Sequence, residues 1–252
     1  MELNLRARAT WCAHLFKSCT KQHHQELRPA LLQLIRSDSV ILDVGSHAGQ
    51  FAKLFARLAP RGHVYAFEPG SYALSILRPA IRFNRFGNIT VLPFGLGDAR
   101  AELDLSVPIK PSGSVGYGLS HIGAVNSVSD GERRVGWRYV EESIRISTID
   151  EVVAARRIDR VDFIKADIEG WEMRMLAGAE ATISRDHPSL MIEVVDAHLA
   201  RAGDSAEALF KLLTGYGYRA FKLDARLSRY IEITRPEDND IFFVTDEKTL
   251  VT

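Results

Sequence analysis

The stretch "SVILDVGSHAGQF", residues 39–51, decides how the chain is read. Val40 to Val44 is a short apolar run broken by one carboxylate, Asp43. It ends at Gly45, and Gly49 follows as a helical pattern begins with Phe51, Leu54, Phe55 and Leu58. An apolar run of that length bounded by glycine reads as a buried strand. Glycines between a strand and a helix let a ligand approach the backbone closely.

Outward from this unit, strand and helix patterns alternate. "GHVYAFEP" (62–69) is a second strand, and "SYALSILRPAIRF" (71–83) a helix kinked or interrupted at Pro79. "NITVLPFG" (88–95) is a third strand, ending at Gly95. "AELDLSV" (101–107) alternates as a half-exposed strand does, and "VDFIKADI" (161–168) is again buried. Trp171, Met175, Leu176 and Ala179 mark one helix. After "SLMIEVV" (189–195), a helix runs around Ala206 to Leu213. "YRAFKLD" (218–224) and "DIFFVTD" (240–246) form a terminal antiparallel pair. Repeated βα units predict an α/β fold with a doubly wound, mostly parallel sheet.

Before it, residues 3–35 carry apolar positions at helical spacing, so residues 1–36 are expected to form a small helical cap on a domain of residues 37–252. Residues 108–136 fall outside the rhythm. They are rich in Gly and Ser and poor in large apolar side chains, which marks them as a candidate substrate lid.

At 252 residues and 46% hydrophobic, the chain can bury a full core. Lysine plus arginine, 32, equals aspartate plus glutamate, 32, so no global field attracts nucleic acid or an anionic membrane. Cys12 and Cys19 lie seven residues apart, roughly 10 Å along a helix, too far for a disulfide. They read as half-buried small apolar residues on one helix face. No apolar run reaches the roughly 20 residues of a membrane span, and the first residues lack the continuous apolar stretch of a secretory signal. A cytoplasmic protein is the simplest expectation.

In a doubly wound sheet the ligand sits beyond the carboxyl ends of the strands, where strand order reverses. A dinucleotide turn needs G-x-G-x-x-G, but His47 and Gln50 occupy the positions the later glycines would take. No G-K-[ST] follows, so a Walker loop is not written either. What remains, D-x-G-x-x-x-G, suits a ligand with an ammonium and a carboxylate rather than phosphates. Glu68 ends the second strand, where an acid can accept both hydroxyls of a ribose, and Pro69 turns the chain after it. Ribose recognition without phosphate recognition points to S-adenosylmethionine. A solvated strand-end acid is the plain alternative for Glu68.

Taken together, "ILDVGSHAGQF", "GHVYAFEPG", "LGDARAELDL", "ISTIDEVV", "VDFIKADIEGWEMRMLAGA" and "PSLMIEV" resemble, in order, the FkbM-type S-adenosylmethionine-dependent methyltransferases. The most specific part is Lys165-Ala166-Asp167-Ile168-Glu169-Gly170 followed by Glu172, with Thr148-Ile149-Asp150 upstream. The resemblance implies a Rossmann-like class I core whose last strand is antiparallel. It makes Asp43, Gly45, Ser46, His47 and Gly49 the methionine-end site, Glu68 with Pro69 the ribose site, and Gly95 and Leu96 the neighbours of adenine. His47 stands where the family commonly has asparagine. Trp171 stands where a small residue is common, and it would narrow or cap the acceptor pocket. The implied activity is O-methylation of a small hydroxylated acceptor: a sugar, a glycolipid or a secondary metabolite. A protein or RNA methyltransferase, or a non-catalytic cofactor-binding module, stays open as an alternative.

Asp167 closes the fourth parallel strand, beside the place where a cofactor methyl group would project. Methyl transfer is an in-line displacement, so the protein has to align the acceptor and manage its proton. Asp167, Glu169 and Glu193 could converge as oxygen ligands for Mg²⁺. Alternatively, Asp167 positions cofactor or acceptor, and Glu169 is a carboxylate at a helix start. His198 follows the next strand as a candidate general base, and His121 in the long loop is a weaker one. No D-P-P-Y or N-P-P-Y ends the fourth strand, which argues against methylation of a nucleobase amine.

Overall fold

The run that opens the sequence reading is the central strand of the protein. In the computed structural model, which describes residues 5–111, 115–116, 121–122, 136–224, 226, 228–237, 239–246 and 250, helix α1 (Leu5–Thr20) and a short helix α2 (Arg28–Leu31) precede strand β1 (Val40–Val44). Then follow α3 (Gln50–Leu58), β2 (His63–Phe67), α4 (Ser71–Phe83) and β3 (Ile89–Leu92). Short β4 (Gly95–Leu96), β5 (Ala101–Ile109), β6 (His121–Ile122) and β7 (Arg138–Ser147) come next, and then α5 (Ile149–Arg156) and β8 (Phe163–Ala166). The chain closes with α6 (Glu172–Ala177), α7 (Glu180–Asp186), β9 (Ser189–Val194), α8 (Asp196–Arg201), α9 (Ala206–Gly215), β10 (Tyr218–Asp224), β11 (Arg229–Ile233) and β12 (Asn239–Thr245).

The main sheet has the order β11-β10-β12-β9-β8-β1-β2-β3. From β3 to β9 the pairings are parallel, while β12 runs antiparallel to both β9 and β10. Strand order reverses at β1, which pairs with β2 on one side and β8 on the other, so the crevice for a ligand lies beyond Val44 and Ala166. Alternate residues of β1 serve opposite cores. Leu42 and Val44 pack with Ile164, Ile192 and the α5–α9 layer, whereas Ile41 packs with Phe55, Phe163 and Phe242. Covering both faces is why the parallel strands are continuously apolar. Among the described residues, no helix is long and apolar enough to cross a membrane.

A second sheet, β4-β7-β5-β6, stands outside the expected rhythm. Strand β7 escapes a sequence reading because its residues are mostly charged or polar, and β11 because it is only five residues long, with Arg229 and Glu232 interrupting its apolar positions. The half-exposed pattern expected of β5 holds over its first residues, but Leu105–Ile109 are buried. Strand three ends at Leu92 rather than at Gly95: Pro93 has no N–H to continue a ladder, and Gly95 and Leu96 instead pair with β7. Helix α4 runs uninterrupted through Pro79, whose missing donor frees the carbonyl of exposed Ser75 to solvent. The helix expected after Trp171 is split into α6 and α7 at Gly178, and α8 is a further short helix that the sequence pattern does not mark. Cys12 is exposed and Cys19 half-buried, so only the latter fits the sequence expectation.

The amino-terminal helices lie on the domain rather than apart from it. Ser18 Oγ donates to the Ala48 carbonyl at 2.7 Å, and the buried Lys53 ammonium of α3 donates to the carbonyls of Ser18 and Lys21. Trp11 Nε1 reaches Ser75 Oγ at 2.8 Å, and His14 Nδ1 bonds with the Tyr72 hydroxyl at 3.0 Å. Most of the candidate lid, 108–136, lies outside the described residues. Of its described part, Val115 bridges to Ile109, and His121 and Ile122 pair with β5.

Candidate active site

The turn after β1 is pinned by β2: the N–H groups of Gly45 and Ser46 both donate to the Phe67 carbonyl, at 3.1 and 2.9 Å. Gly45 has φ +76°, and a Cβ there would lie 2.0 Å from the Asp167 carbonyl oxygen. Glycine is therefore required first by the neighbouring strand end, which it lets approach. Gly49, at φ +76°, starts α3, and its missing Cβ leaves room for Leu77. His47 adopts φ +49° and aims its N–H at Glu68 Oε2, 2.8 Å away. Gly70 N–H bonds the other oxygen, Oε1, at 2.8 Å.

Around this turn lies a cavity of about 310 Å³, in the size range of small-molecule sites. Gly45, His47, Glu68, Pro69, Gly95 and Leu96 line it, as their sequence assignment to one ligand requires. Asp43, Ser46 and Gly49 do not line it. Ser46 Oγ is spent on the Asp43 carbonyl at 2.7 Å. Asp43 is fully buried, and neither of its carboxylate oxygens is at hydrogen-bond geometry to a partner. Burial pushes its pKa up against the pull of Lys165, its register partner on β8. Leu105, Val107 and Ile122 of the second sheet, with Val115 bridged to Ile109, supply an apolar wall that the sequence did not announce.

Glu68 is 8% exposed, and burial pushes its pKa up to about 7, with the two N–H bonds pulling the other way. Burial likewise takes His47 down to about 4, so its ring is neutral at physiological pH.

The opposite end of the cavity is acidic, lined by Asp167, Glu169 and Glu193. Lys165 belongs to the same motif as Asp167, and only the fold shows its role. Its ammonium, buried on β8, lies 3.2 Å from Asp167 Oδ2 and 3.2 Å from the Gly45 carbonyl. The readable signal was a lone lysine in an otherwise apolar strand. Burial raises the pKa of Asp167, but the charge and hydrogen bond of Lys165, with a bond to Glu193, bring it below its ordinary value. Glu193 goes the other way, up to about 8, through burial and then the charges of Asp167 and Glu169.

Glu169 takes φ +58° in a turn that Glu172 holds by accepting the Ile168 N–H at 3.1 Å. Gly170 presses on α8 so closely that a Cβ would lie 2.1 Å from the His198 carbonyl oxygen. His198 itself does not line the cavity. Its Nδ1 sits behind the acids, 3.2 Å from Glu169 Oε2 and 3.9 Å from Glu193 Oε2. Ligand atoms of Glu169, Glu193 and His198 lie within 4.8 Å of one another. Asp167, expected in a metal set, is paired with Lys165 instead. Trp171 lines the cavity, with its indole N–H buried and unpartnered. Thr148 and Asp150 do structural work: Thr148 caps α5 by accepting the Glu151 N–H, and Asp150 accepts the N–H groups of Ala181 and Thr182 on α7.

Comparison with known proteins gives the geometry its context. The family model described as methyltransferase FkbM domain matches residues 43–220. The chain is similar to the 2-O-methyltransferase NoeI of Sinorhizobium fredii, 27% identical over 230 residues, which cover 85% of this chain and 84% of NoeI. It is also 27% identical over 220 residues to the AMB antimetabolite synthetase AmbE of Pseudomonas aeruginosa, and that match covers 75% of the chain but only 10% of AmbE. Among solved structures, methyltransferase FkbM from Methylobacillus flagellatus superposes with a TM-score of 0.50 at 15% identity, covering 92% of this chain and 58% of that one.

Proposed function

Because the chain belongs to the methyltransferase FkbM domain family, we propose that it transfers the methyl group of S-adenosylmethionine to a hydroxyl of a sugar, glycolipid or secondary metabolite. The observation that carries this reading is the Glu68 carboxylate in the cavity wall, held by the N–H groups of His47 and Gly70. Each oxygen accepts one bond from the protein and keeps lone-pair capacity for one ribose hydroxyl. The apolar wall of Leu96, Leu105 and Val107 suits the adenine, and the fully buried Asp43 lies outside the cavity lining.

When bound, the cofactor supplies an electrophilic methyl on a cationic sulfonium. The residues at the acidic end then have two tasks. Asp167, fixed by Lys165, would place negative charge towards the cation, and with Glu169 and Glu193 it would receive the acceptor's hydroxyl. A hydroxyl is a poor nucleophile until its proton is drawn away, and among the cavity-lining residues this acidic end is where groups able to do so cluster. The name of NoeI, a 2-O-methyltransferase, supports oxygen as the accepting atom.

The test is calorimetry with S-adenosylhomocysteine, followed by a screen of hydroxylated sugars and metabolites for methyl transfer. Binding at one equivalent and turnover on a hydroxyl are the expected results. No binding of S-adenosylhomocysteine would reject the reading.

A further inference from the structure

We propose that Glu169, Glu193 and His198 form a site for one divalent transition-metal ion, which activates the acceptor hydroxyl. The inference rests on the methyl-transfer reading for its role, but not for its existence. The three side chains come from the turn after β8, the end of β9 and the short helix α8, and their ligand atoms lie within 4.8 Å of one another. All are half-buried, with side-chain exposures of 23% for Glu169, 31% for Glu193 and 27% for His198.

Each ligand is also held in place. Glu169 sits in the left-handed turn that Glu172 braces, and Arg201 Nη2 donates to the Glu169 carbonyl at 3.2 Å. Strand pairing fixes Glu193, which lies opposite Asp240 of β12. The close contact of Gly170 with its carbonyl fixes the backbone of His198.

The charge balance points the same way. The charges of Asp167, Glu169, Asp240 and Glu172 all act on Glu193. Among the described residues, Lys165 is engaged by Asp167, and Arg201 lies 3.9 Å from Glu169 Oε2. A centre with one imidazole nitrogen and two carboxylates suits Mn²⁺, Fe²⁺ or Zn²⁺ better than Mg²⁺, which prefers oxygen ligands and its own waters. Glu169 and Glu193 line the cavity while His198 stands behind them, so open coordination positions would face the acceptor.

An acceptor hydroxyl held there becomes more acidic. Its proton would pass to solvent, its oxygen would form the new bond to the methyl carbon, and the carbon–sulfur bond would break to leave neutral S-adenosylhomocysteine.

Metal binding can be measured on the full chain without an acceptor. After chelator treatment and dialysis, Mn²⁺ is titrated with detection by paramagnetic resonance, and Zn²⁺ and Mg²⁺ compete. The expected result is one equivalent of Mn²⁺ with ¹⁴N modulation from an imidazole ligand, displaced more readily by Zn²⁺ than by Mg²⁺. His198→Ala should lose the nitrogen signal, and Glu193→Gln should weaken Mn²⁺ at least about tenfold. Thermal melts and S-adenosylhomocysteine binding report whether each variant is folded. No stoichiometric Mn²⁺ in the wild type would overturn the proposal, and so would binding that survives both substitutions. Either result, with S-adenosylhomocysteine still bound, rejects the metal site and leaves the methyl-transfer reading standing.

Discussion

Replacing Glu68 with alanine separates a binding role from a folding role, because the two effects differ in size. In the folded protein the Glu68 pKa stands at about 7, against an ordinary 4.5. Such a rise corresponds to about 3 kcal/mol of penalty for holding the charged form. For an acid with a raised folded pKa, the folded state binds more protons between those two values. Stability from this group therefore falls as pH rises through the window, and the cost persists above it. Glu68→Ala removes that cost but strands the N–H groups of His47 and Gly70, at about 1–3 kcal/mol each. The terms offset, and the melting temperature at pH 8 should move by only a few degrees. Cofactor affinity has no such compensation. Losing even one charge-assisted bond to a ribose hydroxyl costs about 1.5–3 kcal/mol, roughly 10- to 150-fold in Kd. In wild type, affinity for S-adenosylhomocysteine should rise with pH up to about 7 and then level, as Glu68 must ionise to accept both hydroxyls. Calorimetry at several pH values checks both effects. An unchanged Kd in Glu68→Ala, or a wild-type Kd indifferent to pH between about 5.5 and 8.5, would refute the ribose assignment.

Gly45→Ala should be far more damaging than Gly49→Ala, because its Cβ would lie 2.0 Å from a backbone oxygen whereas that of Gly49 meets the end of the Leu77 side chain at 2.4 Å. Chemical denaturation should show a loss above about 4 kcal/mol for the first and roughly 1–2 kcal/mol for the second. Asp167→Asn should cut turnover on a confirmed hydroxylated acceptor by about two orders of magnitude or more, with S-adenosylhomocysteine affinity changed far less. Undiminished turnover would show the acidic end misassigned. Burial takes the Lys53 pKa down to about 8 from 10.5, so the folded state binds fewer protons between those values and this group's contribution to stability rises with pH across them. Lys53→Met should flatten that alkaline rise in melts run against wild type, and an identical pH profile would contradict the assignment.

The parallel strands at the centre of the main sheet were legible in the sequence because they are covered on both faces and must be largely apolar. The glycine turn and Glu68 could also be read, since a ligand pocket at a switch point demands particular residue types at fixed distances along the chain. The second sheet was not legible. Strand β7 faces solvent along much of its length and carries charges, so nothing in its pattern marks it as a strand. Its pairing with β5 is what raises the apolar wall over the cavity. The division of labour among the acids was equally out of reach. Asp167, Glu169 and Glu193 read alike as candidate oxygen ligands, and only packing gives Asp167 to Lys165 and sets Glu169 and Glu193 before His198. Local sequence fixes where a strand or turn falls through hydrophobic period and backbone sterics. Which charge faces which depends on strand register and helix docking between segments distant in the chain, and no short-range pattern encodes that.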